Sequence, residues 1–272
     1  MDDATFERAI YTELGSVRSI CEEFEKKAGH RAEEGGDLAA DEDRFPDIWA
    51  TSLAHRGLAH ACECIEAAVA LMLNGVWLYP QYVLLRAAYE SAGATVWLLL
   101  PEDTDTRLAR LIYQHRESWK YSAKAYSGTP LDDGGEHEDR QQWATDAAAR
   151  LQIDLSQGNP RGYEKLIESI DDLPGRPDSL LTAWRLCSGV SHAKTWAMSE
   201  VIVQVESTEL HEHARLVACE PNLDVFLTML RTARRAVQYA GVLYQIRTTA
   251  RPHSMVLELA ENTTVDGGSA NS

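Results

Sequence analysis

Phenylalanine is scarce in this chain, proline is sparse, and most common chemical signatures are missing. Its 272 residues include four phenylalanines, nine prolines and seventeen glycines, and many of the prolines and glycines mark segment ends. Between these breakers run long alanine- and leucine-rich stretches, which favour helices. Strand-like runs are also scarce, and Val201–Val205 is the best of them. There is no phosphate-cradling glycine-rich loop, no GxSxG turn and no paired CxxC, so the readings those motifs carry drop out. Di-iron bundles need Glu-x-x-His on two helices, and no such pair occurs. No metal and no cofactor is expected.

The first residues, MDDATFERAI, have no basic start and no apolar signal core, so they do not read as a secretion signal. Hydrophobic content of 44% is enough for a substantial core and excludes wholesale disorder. Positive charge is in short supply. A formal net charge of -16 argues against broad, nonspecific nucleic-acid binding, because a polyanion is repelled at long range. The charge is uneven, however. Val225–Leu257 contains no acid, while Arg231, Arg234, Arg235, Arg247 and Arg251 make it basic. Arg231, Arg234 and Arg235 are therefore candidates for binding RNA or phosphate; the plainer reading is a solvated helix face. The five cysteines (Cys21, Cys62, Cys64, Cys187, Cys219) are an odd, scattered set. Read as free thiols in helical pattern, they suggest a reducing cytoplasm.

The stretch Tyr79–Leu100, YPQYVLLRAAYESAGATVWLLL, organises the rest. Pro80 suits a first helical turn, and the residues after it are apolar on nearly every face, as in a helix buried within a bundle. Arg86 and Glu90 break that rule. They lie four apart on one face, with Gly93 and Trp97 continuing the stripe. These charges near its middle argue against a membrane span.

Elsewhere, Phe6, Ile10, Leu14, Val17, Cys21 and Phe24 recur at helical spacing, in a helix stopped at Gly29. His30–Pro46 reads as a charged loop, and Asp47 as the cap of a helix running to about Asn74. Thr104 or Asp103 caps a helix to Tyr126; Gly128–Glu138 is a polar loop, and Arg140–Leu155 a helix. A short helix spans Gly162 to about Ile170, before the breaker-rich Asp171–Pro177. Asp178 or Ser179 caps a helix through Arg185 and His192, extended towards Trp196. Ser207–Pro221 has the weakest pattern. Asn222 caps a long last helix with Leu223, Phe226, Leu230, Ala233, Val237, Gly241 and Tyr244 on its inner face. The expectation is an all-α, single-domain bundle of seven or eight helices over residues 1–260, with a disordered tail at 261–272.

Within WRLCSGVSHAKTWA (Trp184–Ala197), Arg185 and His192 are seven apart and nearly in line on a helix, with Ser188 and Gly189 between them. Packed against the Arg86/Glu90 stripe, that face would put a carboxylate beside an imidazole and two guanidinium groups, a set suited to acid–base work. The competing reading is a polar contact inside a helix interface. Arg110 and His115 also satisfy an arginine–histidine spacing, but five residues place them about 140° apart. Of His60, Cys62 and Cys64 only His60 and Cys64 share a face, and His211-Glu-His213 reads as a loop.

LLRAAYESAGATVWLL together with WRLCSGVSHAKTWA resembles a group of all-helical bacterial proteins with an "R…E" helix and an "R…S…H" helix, over roughly residues 50–250. The Arg-x6-His spacing further resembles HEPN domains, helical bundles that often dimerise and in many cases cut RNA without metal. The resemblance implies that His192 is the general acid or base and that Arg185 holds phosphate charge; the packing of the two helix faces adds Glu90, Arg86 and Ser188 to the candidate site. Leu186 stands where those nucleases usually carry a polar residue. The implied function is a cytoplasmic RNA-cleaving effector of a toxin or defence system, with an antitoxin-like partner, a homodimeric state and no membrane contact. The alternative is a non-catalytic helical module that binds a partner protein or small ligand.

Overall fold

Pro80 opens α4 (Pro80–Leu99), where its missing N–H leaves no helical bond unmade. Tyr82, Leu85, Tyr89, Ala92, Val96 and Leu99 on this helix are 0% exposed. These residues recur every three or four positions along one face. Towards the C-terminal end Thr95, Val96, Trp97, Leu98 and Leu99 are buried in succession, so neighbours pack on every side there, while Val83 near the start is 45% exposed. Those neighbours are α3 (Ala50–Leu73), α5 (Thr104–Tyr126), α7 (Tyr163–Ile170), α8 (Leu180–Ser191) and α10 (Leu223–Thr248). Two glycines set how closely they approach. A Cβ on Gly57 would lie 2.4 Å from Thr95 Oγ1, and one on Gly93 would lie 2.5 Å from Ile167 Cδ1. Gly93 thus serves the contact with α7, not one with α8.

This computed structural model describes residues 3–26, 31–75, 77–132, 136–170 and 179–250. The expected stop at Gly29, the Asp171–Pro177 breakers, the alternative cap Asp178, Arg251 and the tail from Glu261 lie outside them. Helices dominate, as the composition indicated. α1 (Asp3–Glu25) buries Phe6, Ile10, Leu14, Val17 and Phe24 against α3 and α10. Burial of such a side chain contributes about 1.5–3 kcal/mol. In α10, Phe226, Leu230, Ala233, Val237 and Tyr244 are buried, and Asn222 Oδ1 accepts the Val225 N–H at 3.3 Å. No helix among the described residues is long and apolar enough to cross a membrane.

Several expectations need correction. There are ten α-helices among the described residues, not seven or eight. The supposed loop His30–Pro46 contains α2 (Asp37–Arg44). Asp47 does not cap α3, which starts at Ala50; it meets Arg150 at 2.8 Å instead. α6 (Glu136–Leu151) ends before Leu155, and a 3₁₀ turn, Leu155–Gly158, comes after it. Helix α8 stops at Ser191, and a separate α9 (Thr195–Glu200) carries Trp196. The weakly patterned segment is an antiparallel hairpin, β1 (Ile202–His211) with β2 (Ala214–Pro221).

Helix α2 could not be found from apolar periodicity because ion pairs hold it. Asp41 takes Arg107 Nε and Nη2 at 2.6 and 2.7 Å, and both side chains are 2% exposed. Arg107 also donates to the Pro101 and Glu102 carbonyls at 3.0 and 2.7 Å. Arg247 likewise binds Asp37 (2.5 Å) and the Leu99 and Leu100 carbonyls (3.0 and 3.1 Å). The acidic helix and the otherwise unpaired carbonyls at the end of α4 therefore share two buried arginines.

Cys21 and Cys62 form a disulfide, which overturns the reading of five free thiols; Cys64, Cys187 and Cys219 are free. α1 and α3 bring positions 41 apart in sequence to a Cα separation of 6.7 Å. The thiol pattern therefore no longer argues for a reducing compartment.

This packing has measurable consequences. Asp41→Ala, which strands Arg107 without its carboxylate, lowers the urea-derived stability by about 3–5 kcal/mol. Removing the exposed Lys165–Glu168 pair leaves the urea midpoint essentially unchanged. Alkylation of the unreduced, denatured chain labels three cysteines, and prior reduction raises the number to five, as mass spectrometry would read.

Candidate functional site

Helix α8 ends in a turn that presents His192. The His192 residue is the C-cap, Ala193 takes a left-handed φ of 51°, and Ala193 and Lys194 donate to Val190 and Gly189 carbonyls at 3.0 and 2.9 Å. This double bond pattern usually uses glycine where Ala193 stands. Alanine there carries strain of order 1 kcal/mol beside the candidate imidazole. Because the helix stops, His192 leaves the Arg185 line and turns towards α4.

Four side chains meet in series. Glu90 Oε1 accepts from Arg86 Nε at 2.9 Å and from Trp184 Nε1 at 3.0 Å. Arg86 Nη1 lies 3.2 Å from His192 Nε2. A guanidinium has only donors, so Nε2 accepts, and the neutral ring carries its proton on Nδ1. Arg86 and Glu90 are 25% and 19% exposed, whereas His192 is open to solvent. Arg86 also lies over the Trp184 ring, 5.9 Å from its centroid. The carboxylate thus orients the arginine, and the arginine holds the imidazole.

The remaining predicted residues are distributed differently. Arg185 points to α7, where Nε and Nη2 hold Glu164 Oε1 at 3.0 and 2.8 Å. Ser188 is half-buried, and its carbonyl accepts the His192 N–H at 3.1 Å. Gly189 faces α9: a Cβ there would lie 2.6 Å from Ala197 Cβ. The face of α8 that meets α4 is that of Trp184 and Cys187. Burial drives the Cys187 thiol up, so it stays protonated. Arg231 and Arg234 both bind Glu13 of α1, at 3.2 and 2.7 Å, and Arg235 donates to Thr232 Oγ1 at 3.3 Å. The acid missing from Val225 onward in α10 is thus supplied by another helix.

Sequence reasoning missed Trp184, Tyr163 and Glu164. Trp184, Cys187 and Val190 form the apolar stripe of α8, so periodicity marked that stripe as the inward one; the Arg185–His192 line lies on the other side. Tyr163 heads α7, where desolvation, then the Glu90 carboxylate and Tyr121, pushes its phenol up while the Arg86 charge opposes them. Nothing local in the sequence signals that proximity. Among the described residues no group of three or more His, Cys, Asp or Glu side chains could hold a metal ion.

His115 belongs to a different environment from Arg110. Its ring lies 5.7 Å from that of Trp119, while Arg110 stacks on Trp97 at 4.5 Å. Burial, with Arg56 adding to it, holds the His115 imidazole below its ordinary 6.5. The unfolded chain then takes up a proton first as pH falls, so this group reduces stability progressively below about pH 6.5. In His115→Gln that component disappears, and urea midpoints measured between pH 5 and 7 would show a flatter slope.

Comparison with protein-family models, curated proteins and solved structures finds no match.

Proposed function

We propose that this chain is a HEPN-like, metal-independent RNA-cleaving effector of a toxin or defence system, acting in the cytoplasm as a homodimer under an antitoxin-like partner. The observation that carries the reading is the Arg86 Nη1–His192 Nε2 contact at a solvent-open turn, backed by Glu90. RNA brings a phosphate that competes for Arg86; once the guanidinium turns to it, the Nε2 lone pair is free. His192 then takes the proton from the ribose 2′-hydroxyl, the O2′–P bond forms and the P–O5′ bond breaks. The imidazolium returns its proton to the departing 5′ oxygen, leaving a 2′,3′-cyclic phosphate and a 5′-hydroxyl. Arg86 and Arg185 stabilise the charge on the phosphorane oxygens. Arg185 is available for this because its pair with Glu164 is half-exposed on both sides, and such pairs contribute about 1 kcal/mol or less. Arg231 and Arg234 would guide the RNA backbone only where phosphate displaces Glu13, and Arg235 only where it displaces the Thr232 hydroxyl.

One observation favours the second reading, a non-catalytic module for a partner protein or small ligand. Glu90 already has two donors and Arg185 has Glu164, so the polar groups are largely satisfied among themselves.

Labelled RNA incubated in chelator with wild type, His192→Ala and Arg86→Ala separates the two. The nuclease reading expects cutting by wild type and a loss of about 10²–10⁴-fold in His192→Ala, with helicity unchanged. Equal cutting by all three proteins, or none by any, removes it. The module reading expects only a lower melting temperature for His192→Ala.

A further inference from the structure

The hairpin stands apart from the bundle in both packing and composition. Every residue of β1 from Val203 to His211 is exposed, and β1 pairs with β2 alone, so its outer edge has no third strand among the described residues. Val203 and Val205 are each 47% exposed, and Leu210 and Leu216 are 62% and 63%. A lone two-stranded ribbon is marginal in water, and natural edges are blunted by charge, proline or bulges. β1 has irregularities between Gln204 and Glu206 and between Glu209 and His211, and two glutamates. It has no lysine or proline, so the edge is open to an added strand between the bulges. Its charges are acidic: Glu206 and Glu209 on β1, Glu212 at the tip and Glu220 on β2, against Arg215.

We infer that the outer edge of β1 is the docking strand for an extended segment of a partner protein in which aliphatic residues alternate with lysine or arginine. Backbone bonding along ten residues spans about 34 Å and supplies affinity without regard to sequence. The side chains supply the choice: valines accept aliphatic neighbours, and the glutamates accept cations. A second copy of this chain is a poor occupant, since each hairpin brings four acids and one base, and like charges would face each other. The inference requires neither the RNA chemistry proposed above nor its absence.

Val205 provides a clean probe. The register passes from Gln204–Cys219 to Glu206–Ala218 and skips Val205, so this bulge position has no ladder partner on β2. Proline is tolerated at such a place and blocks an added strand. The experiment uses the full chain with two capped ten-residue peptides, one alternating valine with lysine and one alternating valine with glutamate. Fluorescence anisotropy reads affinity, and amide hydrogen exchange reads β1. The lysine peptide is expected to bind at least tenfold tighter and to slow exchange in β1. Val205→Pro should lose at least tenfold in affinity with helical circular dichroism unchanged, and the double variant Glu206→Lys/Glu209→Lys should reverse the peptide preference. Equal affinity for both peptides, no binding, or protection confined to the helices overturns the inference. So does β1 protection that rises with protein concentration alone, which would assign the edge to a second copy.

Discussion

Burying α4, on one face at its start and on all sides at its C-terminal end, is the constraint on which the rest of the molecule depends. Where the helix has no solvent face, from Thr95 to Leu99, it must be met by small or apolar groups in every direction. That explains Gly57 facing Thr95, while Gly93 admits Ile167. It also explains why the polar groups on α4 cannot be left alone. Arg86 and Glu90 sit where the wall of neighbours thins, paired with each other and with Trp184. At the other end, the carbonyls of Leu99 and Leu100 run out of helix and are taken by Arg247. Arg107 and Arg247 enter the interior where the fold has left backbone carbonyls unpaired.

The two ends of the central helix use charge for different purposes. Around α2, arginine and carboxylate are almost fully dry and bonded on several sides, the condition under which a buried pair is tolerated. Around His192 the series Trp184–Glu90–Arg86–His192 runs from interior to solvent, and its last member is open. The first arrangement locks the bundle. The second leaves an imidazole beside a guanidinium at the surface, held by a turn in which Ala193 is strained. That difference in exposure, more than the residue types, distinguishes a structural cluster from a candidate site.

Much of the architecture was legible from spacing and caps. Ser179, Asp103 and Asn222 each accept an N–H in the first turn of their helix, and the inner face of α10 follows its three-and-four spacing. The candidate site was legible only in outline. Arg86 and Glu90 announce each other at i and i+4, but the alignment of Arg185 with His192 assumes a helix that continues. It does not, because the backbone turns at Ala193 with an alanine where glycine would have given the signal. The basic stretch of α10 failed for another reason. Charge counted along one helix omits what a neighbour contributes, and Glu13 is more than two hundred residues away from Arg231 and Arg234.

By itself, then, the sequence determined most of the helical segments, which helix lies at the centre and which of its polar residues must pair, since these depend on periodicity and on interactions within one or two turns. Only the tertiary structure decided that Cys21 meets Cys62, that α2 is a helix, that Trp184 shares Glu90, and that His192 faces Arg86 while Arg185 turns to Glu164. Those outcomes depend on how separate helices are rotated against each other, and the free energy that fixes the rotation is spread over the whole core, not written in any one stretch of chain.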